Sequence, residues 1–326
     1  MKRPILFHIG SALGTGLLLF NLSVHAQNYP TKPVRVVVAF LAGGHDDYIG
    51  RLIAPKLTEV LGQQVIVENR PGGGGVIGWE YVAKVAPPDG YTLALGGGSM
   101  TTLPSLRSKP PYDVLRDFRP ISLISTTSFV LVVHPSVPAR TVKELIALAR
   151  EQPGKLNYAS PGAGALGHLS AELLKSMAGL DIVHVPYKGA PPAFADLMAG
   201  RVDMYFSTLT SAVPHVLSGK VRALGVTSAK RVAIFPDVPT IGEAALDEYD
   251  ISGWSALHGP AGVPRDVVDR LNAAIHKVVA MQDLREQFLR VGDEPQTNTP
   301  EQMAEMMRAG VEKFGSIIRT AGIKAD

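Results

Sequence analysis

Apolar and polar positions alternate between two rhythms along this chain. From Val34 the run Val36-Val37-Val38-Ala39-Phe40 is continuously apolar and reads as a buried strand. Ala42-Gly43-Gly44 breaks it before Asp46 or Asp47 can cap a helix, along which Ile49, Leu52, Ile53, Leu57, Val60 and Leu61 recur at helical spacing until Gly62. Val65-Ile66-Val67-Glu68 is a second strand, followed by the loop Asn69 to Gly75 and a helical segment to about Val85. Pro88-Asp89-Gly90 then turns the chain into a third strand, Tyr91 to Leu95, which ends in Gly96-Gly97-Gly98-Ser99. The order β-α-β-α-β is half of a doubly wound sheet.

The same order returns further along. Leu156 to Ala159 is a strand, Ser160 to Gly167 a glycine loop, and His168 to Ala178 a helix burying Leu169, Leu173, Leu174 and Met177. After Gly179 come the strand Ile182 to Val185, the loop Pro186-Tyr187-Lys188-Gly189, a helix to Ala199 and the strand Val202 to Phe206. Between the copies, Arg119 to Ile124 and Phe129 to Val133 are strand-prone and Thr141 to Arg150 is helical. Beyond the second copy, Val221 to Val226 and Ile251 to Gly259 read as extended. Helical patterns then run from Pro264, with Val267, Val268, Leu271, Ile275 and Val278 on one face, and from Pro300 to about Thr320. The layout predicted is α/β: two lobes, each a doubly wound, mostly parallel sheet, joined by two crossing segments near 120–128 and 248–258. Residues 27–124 with 252–326 form lobe 1 and residues 125–251 lobe 2, with the ligand cleft between them.

Composition narrows the chemistry. The chain has 326 residues, 46% hydrophobic and 19% charged, so it has the material for a large core and is neither disordered nor collagenous. It has no Cys, which removes thiolate metal sites, Cys nucleophiles, iron–sulfur clusters and a lipidated N-terminal Cys. Lys2 and Arg3, the apolar stretch Ile5 to Leu22 and the small-residue site Val24-His25-Ala26 form a secretory signal peptide over residues 1–26, cleaved after Ala26. Its removal takes two positive charges from a formal net charge of +3, and no Lys/Arg block points to nucleic acid.

Glycine loops that feed helix N-termini present backbone N–H groups and the positive dipole end to an anion. Gly43-Gly44 and Gly162 to Gly167 are two such loops at equivalent places, although glycine there also serves backbone geometry alone. Gly73 to Gly78 and Gly162 to Gly167 both fit G-x-G-x-x-G, but neither has the acidic residue a dinucleotide site wants at the end of the next strand. No HExxH pair, metal-spaced cluster or G-x-S-x-G elbow occurs. His168 at a helix start and His45 beside Asp46 are candidate ligand contacts or loop-packing residues. Tyr187 and Lys188 offer a phenol and a cation to an anionic guest, and Trp254 either walls the cleft or fills the hinge.

Five motifs carry a resemblance to a known family. Phe40-Leu41-Ala42-Gly43-Gly44-His45-Asp46-Asp47, Val67 to Gly72, Pro88 to Leu93, Tyr158-Ala159-Ser160 with Gly162, Gly164 and His168, and Val185 to Gly189 with Leu197 to Asp203 resemble the Bug/TctC family. These are periplasmic solute-binding receptors of tripartite tricarboxylate transporters. The resemblance implies a two-lobed periplasmic-binding-protein clamshell that closes on a small di-, tri- or aromatic carboxylate and delivers it to inner-membrane transporter subunits. It also implies a monomer in the periplasm with no cofactor, metal or catalytic residue. Ligand contacts are then expected from Ala42, Gly43, Gly44, His45, Asp47, Gly98, Ser99, Ser160, Gly162, Gly164, His168, Tyr187, Lys188 and Ser207. Several residues depart from the family pattern. Leu41, His45 and Asp46 alter the first loop, Ala165 and Leu166 replace hydroxyl side chains, and Ser207 stands where the family often has Asp, which disfavours an amino-acid ligand. A hydrolase or dinucleotide enzyme on the same scaffold, and a receptor feeding a sensor kinase, stay open as alternatives.

Overall fold

The computed structural model describes residues 29–107 and 109–323, and the signal peptide and its cleavage site lie outside them. The first half runs β1 (Val34–Val38), α1 (His45–Leu61), β2 (Val65–Asn69), α2 (Val76–Glu80), β3 (Thr92–Gly97) and α3 (Leu103–Leu106). β4 (Phe118–Val133) follows as one strand of 16 residues. The second half comprises α4 (Val142–Glu151), β5 (Asn157–Ser160), α5 (Leu166–Ala178), β6 (Val183–Pro186), α6 (Ala190–Met198), β7 (Met204–Thr208), α7 (Leu209–Leu217), β8 (Arg222–Val226) and α8 (Ile241–Ala244). β9 (Ser252–Pro260) leads to α9 (Arg265–Val279), α10 (Gln282–Arg290), β10 (Glu294–Pro295) and α11 (Pro300–Thr320).

The strands join in the order β2-β1-β3-β9-β4-β7-β5-β6, with β10 and β8 also on β4. β2-β1-β3 and β6-β5-β7 are the two parallel triplets expected from the repeated pattern. The strands between them are antiparallel, so the sheet is mixed. β4 pairs with β9 from Phe118 to Ser128 and with β7 and β8 from Phe129 to Val133. The two strand-prone runs of the sequence are therefore one strand that passes from one half of the sheet to the other. Two parallel β-α-β halves are thus joined through a shared antiparallel centre.

β1 shows why the triplets read as apolar runs. Val34, Val36 and Val38 enter one core cluster, under α1 and α9, while Val37 and Ala39 enter another with Trp79 and Met303 on the opposite face. Burial on both faces of a parallel strand leaves no polar side. β7 repeats the arrangement, with Met204 and Phe206 on one face and Tyr205 on the other. α9, α10 and the first half of α11 cover the first half of the sheet, as expected of the C-terminal helices. The far end of α11 does more: Phe314 and Ile318 join Leu166 and Leu169 of α5 in a cluster that bridges both halves.

Several boundaries move. α1 starts at His45 with Gly44 as N-cap, and neither Asp46 nor Asp47 caps it. α5 starts two residues before His168. β7 extends to Thr208, so Ser207 is a strand residue and not the first residue beyond it. α7, α8, α10 and β10 have no counterpart in the sequence reading. Leu271 of α9 is 1% exposed and Leu217 at the end of α7 is 70% exposed. Leu271→Ala is expected to lower unfolding free energy by about 2–5 kcal/mol and Leu217→Ala by less than about 0.5 kcal/mol, read from urea denaturation.

Candidate functional site

The strand ends of both halves meet around a cavity of about 80 Å³. Phe40, Gly44, His45, Asp46, Gly97, Gly98 and Ser99 line it from the first half. Pro161, Ala165, Leu166, Gly167, Ala190, Tyr205, Phe206, Thr208 and Ser211 face them from the second. Thr127 and Phe129 on β4, with Gly253 and Trp254 on β9, form the wall at the crossing. Four helix N-termini, those of α1, α5, α6 and α7, contribute to this lining.

The rims of the cavity are closed by backbone contacts between the halves. A Cβ on Gly74 would lie 2.1 Å from the carbonyl oxygen of Ala163, and one on Gly189 would lie 3.3 Å from Leu41 Cβ. Gly74 also has φ +66°, so that position rejects a side chain twice over. Leu166 N–H donates to Ser99 Oγ at 3.1 Å, and Thr102 Oγ1 donates to the carbonyl of Gly164 at 2.7 Å. The four-glycine run thus serves lobe-to-lobe approach, a role the sequence reading did not give it.

Beneath the cavity lies a buried charge cluster. Asp293 has no exposed surface and is held by His45 Nε2 at 2.7 Å, Ser125 Oγ at 3.2 Å and Thr210 Oγ1 at 2.9 Å. His45 Nδ1 lies 3.2 Å from Asp46 Oδ1, which also accepts from Ser255 Oγ at 2.7 Å. Burial alone would lower the His45 pKa, but Asp293 and Asp46 outweigh it and hold the imidazolium up to about 10. In the second half, Ser160 Oγ is 2.6 Å from His184 Nε2, and the His184 ring stacks between those of Tyr158 and His168. Burial, with His168 alongside, pushes His184 down to about 4.

The chain matches the model for the tripartite tricarboxylate transporter family receptor, TctC, over residues 49–323. The chain belongs to the TctC family. It is 40% identical over 324 residues to the UPF0065 protein in the tcbD-tcbE intergenic region of Pseudomonas sp. strain P51, covering 97% of this chain and 96% of that one. Among solved structures it is similar to R. palustris Rpa4515 with adipate: TM-score 0.87, 36% identity, 91% of this chain and 99% of that one covered. It is also similar to MatC (Rpa3494) from Rhodopseudomonas palustris with bound malate: TM-score 0.86, 30% identity, 89% and 100% covered. TctC proteins are of the periplasmic solute-binding type.

Of the residues expected to contact a ligand, Gly44, His45, Gly98 and Ser99 line the cavity. Ala42 and Gly43 sit exposed at its rim, where Gly43 approaches Pro191 of α6. Asp47 stands behind the first loop. Its carboxylate accepts from Gly43 N–H at 2.9 Å, Arg51 Nε at 2.9 Å and Asn69 Nδ2 at 3.0 Å. Burial would raise its pKa, but those donors hold it below the usual carboxylate range. Ser160 and His168 brace the second loop in the same way, accepting from Gly162 N–H at 3.2 Å and Gly164 N–H at 3.1 Å. Ser160 is fully buried off the cavity, so its short contact with His184 clamps a loop and does not present a nucleophile. Gly162 packs on Gly74, and Gly164 lies against Leu106.

Tyr187 turns away to donate to Asp196 at 2.7 Å, and Lys188 is exposed. Ser207 is buried off the cavity and donates to the carbonyl of Thr208 at 3.1 Å. Trp254, for which the sequence left cleft wall and hinge filling both open, lines the cavity. The sequence reading missed Asp293, Ser255, Thr208, Ser211 and Phe129. Thr208 and Ser211 mark the start of α7, but the remaining three carry no local signal.

Two predictions follow from this geometry. Gly74→Ala is expected to weaken ligand affinity by roughly tenfold or more and to enlarge the radius of gyration of the liganded protein by X-ray scattering, because it props the rims apart. Stability is expected to peak near pH 6.5. His45 has a folded pKa above its ordinary 6.5, so its contribution is complete below pH 6.5 and declines as pH rises towards about 10. His184 has a folded pKa below 6.5, so its contribution is complete above pH 6.5 and is lost as pH falls through about 4. Melting temperature against pH should show both limbs, the alkaline one no steeper than about 1.4 kcal/mol per pH unit. His45→Gln should flatten the alkaline limb between pH 6.5 and 9.

Proposed function

We propose that this protein is a periplasmic receptor that captures a small carboxylate by lobe closure, performs no chemistry on it and delivers it to the membrane subunits of a tripartite tricarboxylate-type transporter. The observation that carries the proposal is the convergence of four helix N-termini on one cavity between the halves. α1 reaches it with Gly44 and His45, α5 with Ala165 to Gly167, α6 with Ala190, and α7 with Thr208 and Ser211. First-turn N–H groups lack intrahelical partners and carry the positive end of the dipole. Pro191 and Pro192 leave α6 only the Ala190 N–H, Leu166 N–H of α5 is taken by Ser99, and α1 carries its own Asp46 and Asp47, so the anion site without Lys or Arg is formed by the starts of α5, α6 and α7. The adipate and malate named with the two solved relatives support a carboxylate.

Capture by closure rests on the rims. Gly74 against Ala163 and Leu41 against Gly189 are contacts that an open cleft would lose, and a ligand touching both halves shifts the equilibrium towards the closed state. The lobes are taken as residues 27–124 with 252–326 and residues 125–251, a division supported by the change of β4 partners at Phe129. The receptor acts as a monomer, exported and cleaved after Ala26.

Thermal shift and calorimetry on ligand-stripped protein test the proposal. Binding to the native state alone raises stability by RT ln(1 + [L]/Kd), about 2.7 kcal/mol at a hundredfold excess over Kd. At least one carboxylate among malate, adipate, citrate, benzoate and the hydroxyl- or amino-bearing monocarboxylates of the same lengths is expected to raise the melting temperature in proportion to the logarithm of its concentration. A folded sample indifferent to all of them, and to longer and shorter homologues, would overturn the carboxylate reading.

A further inference from the structure

We infer that Asp46 selects the ligand class within the carboxylates: the cavity takes a monocarboxylate that carries a hydrogen-bond donor, a hydroxyl or an ammonium, at its other end, and it turns dicarboxylates away. The inference rests on the carboxylate reading above and deepens it.

The anion-attracting features are unevenly distributed. The second half presents the N-termini of α5, α6 and α7, none of which has an acidic residue in its first turn. In the first half, the N-terminus of α1 has Asp46 and Asp47 in its own first turn. Those carboxylates already occupy the positive end of that dipole, so a ligand anion finds its uncompensated partners on the second half only.

His45 is the basic and Asp46 the acidic side chain in the lining, and no Lys or Arg is among the lining residues. The His45 imidazolium is shared between Asp293 at 2.7 Å and Asp46 at 3.2 Å, so one cation faces two carboxylates. A second ligand carboxylate on this side would meet a cluster that is net negative, in a site from which closure expels most water. Asp46 Oδ1 accepts from both Ser255 and His45, whereas Asp46 Oδ2 receives no hydrogen bond from the described residues. A carboxylate oxygen at a cavity wall is an acceptor without a donor, and a hydroxyl or ammonium is the complement to it.

The walls between the two ends are apolar. Phe40, Phe129, Trp254, Leu166 and Phe206 surround the space that the body of the ligand would fill. Ser207, whose replacement of a family Asp spoke against an amino acid, is turned off the cavity, so that objection loses its footing and Asp46 takes over as the acidic partner.

The test uses ligands of matched length that differ only at the far end. The six-carbon set is hexanoate, 6-hydroxyhexanoate, 6-aminohexanoate and adipate. The four-carbon set is butyrate, 4-hydroxybutyrate, 4-aminobutyrate and succinate, and the aromatic set is benzoate, 4-hydroxybenzoate, 4-(aminomethyl)benzoate and terephthalate. Calorimetry on the ligand-stripped full-length mature protein is expected to show, in the best-binding set, a hydroxyl or ammonium member at least tenfold tighter than the dicarboxylate. The hydroxyl and amino arms tell the two donors apart. Asp46→Asn should reduce that ratio to threefold or less, with the dicarboxylate gaining more affinity than the plain monocarboxylate. A dicarboxylate that binds wild-type protein as tightly as its donor-bearing partner overturns this inference and leaves the carboxylate reading standing. Absence of binding across all three sets in folded protein overturns this inference, and absence of binding to malate and citrate as well overturns both. The wild-type series decides the matter alone should Asp46→Asn not fold.

Discussion

A buried carboxylate organises this molecule. Asp293 is removed from water altogether, and an unpaired charge in such a place costs several kcal/mol. Its donors come from three separate elements: His45 on α1, Ser125 on β4 and Thr210 on α7. Satisfying one side chain therefore constrains the first-half helix that carries the anion-facing loop, the strand that crosses between halves, and a second-half helix that opens onto the cavity. The His45 proton is part of that arrangement, since a neutral ring would leave two carboxylates sharing a dry site without a cation. The cavity floor and the hinge are one electrostatic unit.

The rims depend on the opposite device, the absence of side chains. Closure brings backbone to backbone where Gly74 meets Ala163 and Gly162, and a single methyl there would collide with a carbonyl oxygen. Such contacts bury little apolar surface, so they contribute little to holding the halves together when the cavity holds only water. That is the balance a receptor needs. Strong rim contacts would close the cleft without cargo, and bulky ones would prevent closure with it. The apolar bridge from Phe314 and Ile318 to Leu166 and Leu169 ties the two halves together through side chains, whereas the rims meet through bare backbone.

The periodic part of this architecture was legible in the sequence because its cause is local. Strands buried on both faces give unbroken apolar runs, as at Val36 to Ala39, and helices with one buried face give the spacing of Val267 to Val278. α10 was overlooked because Leu284 and Phe288 are its only fully buried side chains, too few for a pattern. The site was half legible for a related reason. Gly44, His45, Gly98 and Ser99 follow strands and carry glycine signals, and they line the cavity. Ser160, His168 and Asp47 were found by the same signals, but their side chains fold back on the loops that carry them, because a bent glycine loop needs acceptors for its own N–H groups before it can offer any to a guest. Asp293 and Ser255 became visible only when the fold brought segments more than 200 residues apart into contact with Asp46 and His45.

His45 and Asp46 also explain why a departure from a family motif can retain the fold and alter the cargo. Both stand in the first turn of α1, where the dipole favours the Asp46 carboxylate and disfavours the His45 imidazolium, which is held there by Asp293 and Asp46. The histidine supplies the cation that lets Asp46 and Asp293 lie close together, and Ser255 on β9 fixes the Asp46 carboxylate against the wall. Once so held, that carboxylate cannot swing out to solvent when a ligand anion arrives, and it cannot be neutralised by a lysine or arginine, since the cavity lining has neither. The first half of the cleft thus presents a hydrogen-bond acceptor, while the second half presents three acid-free helix N-termini. A cavity polarised in this way is complementary to a ligand with unlike ends, and the polarity comes from two adjacent residues at the start of one helix.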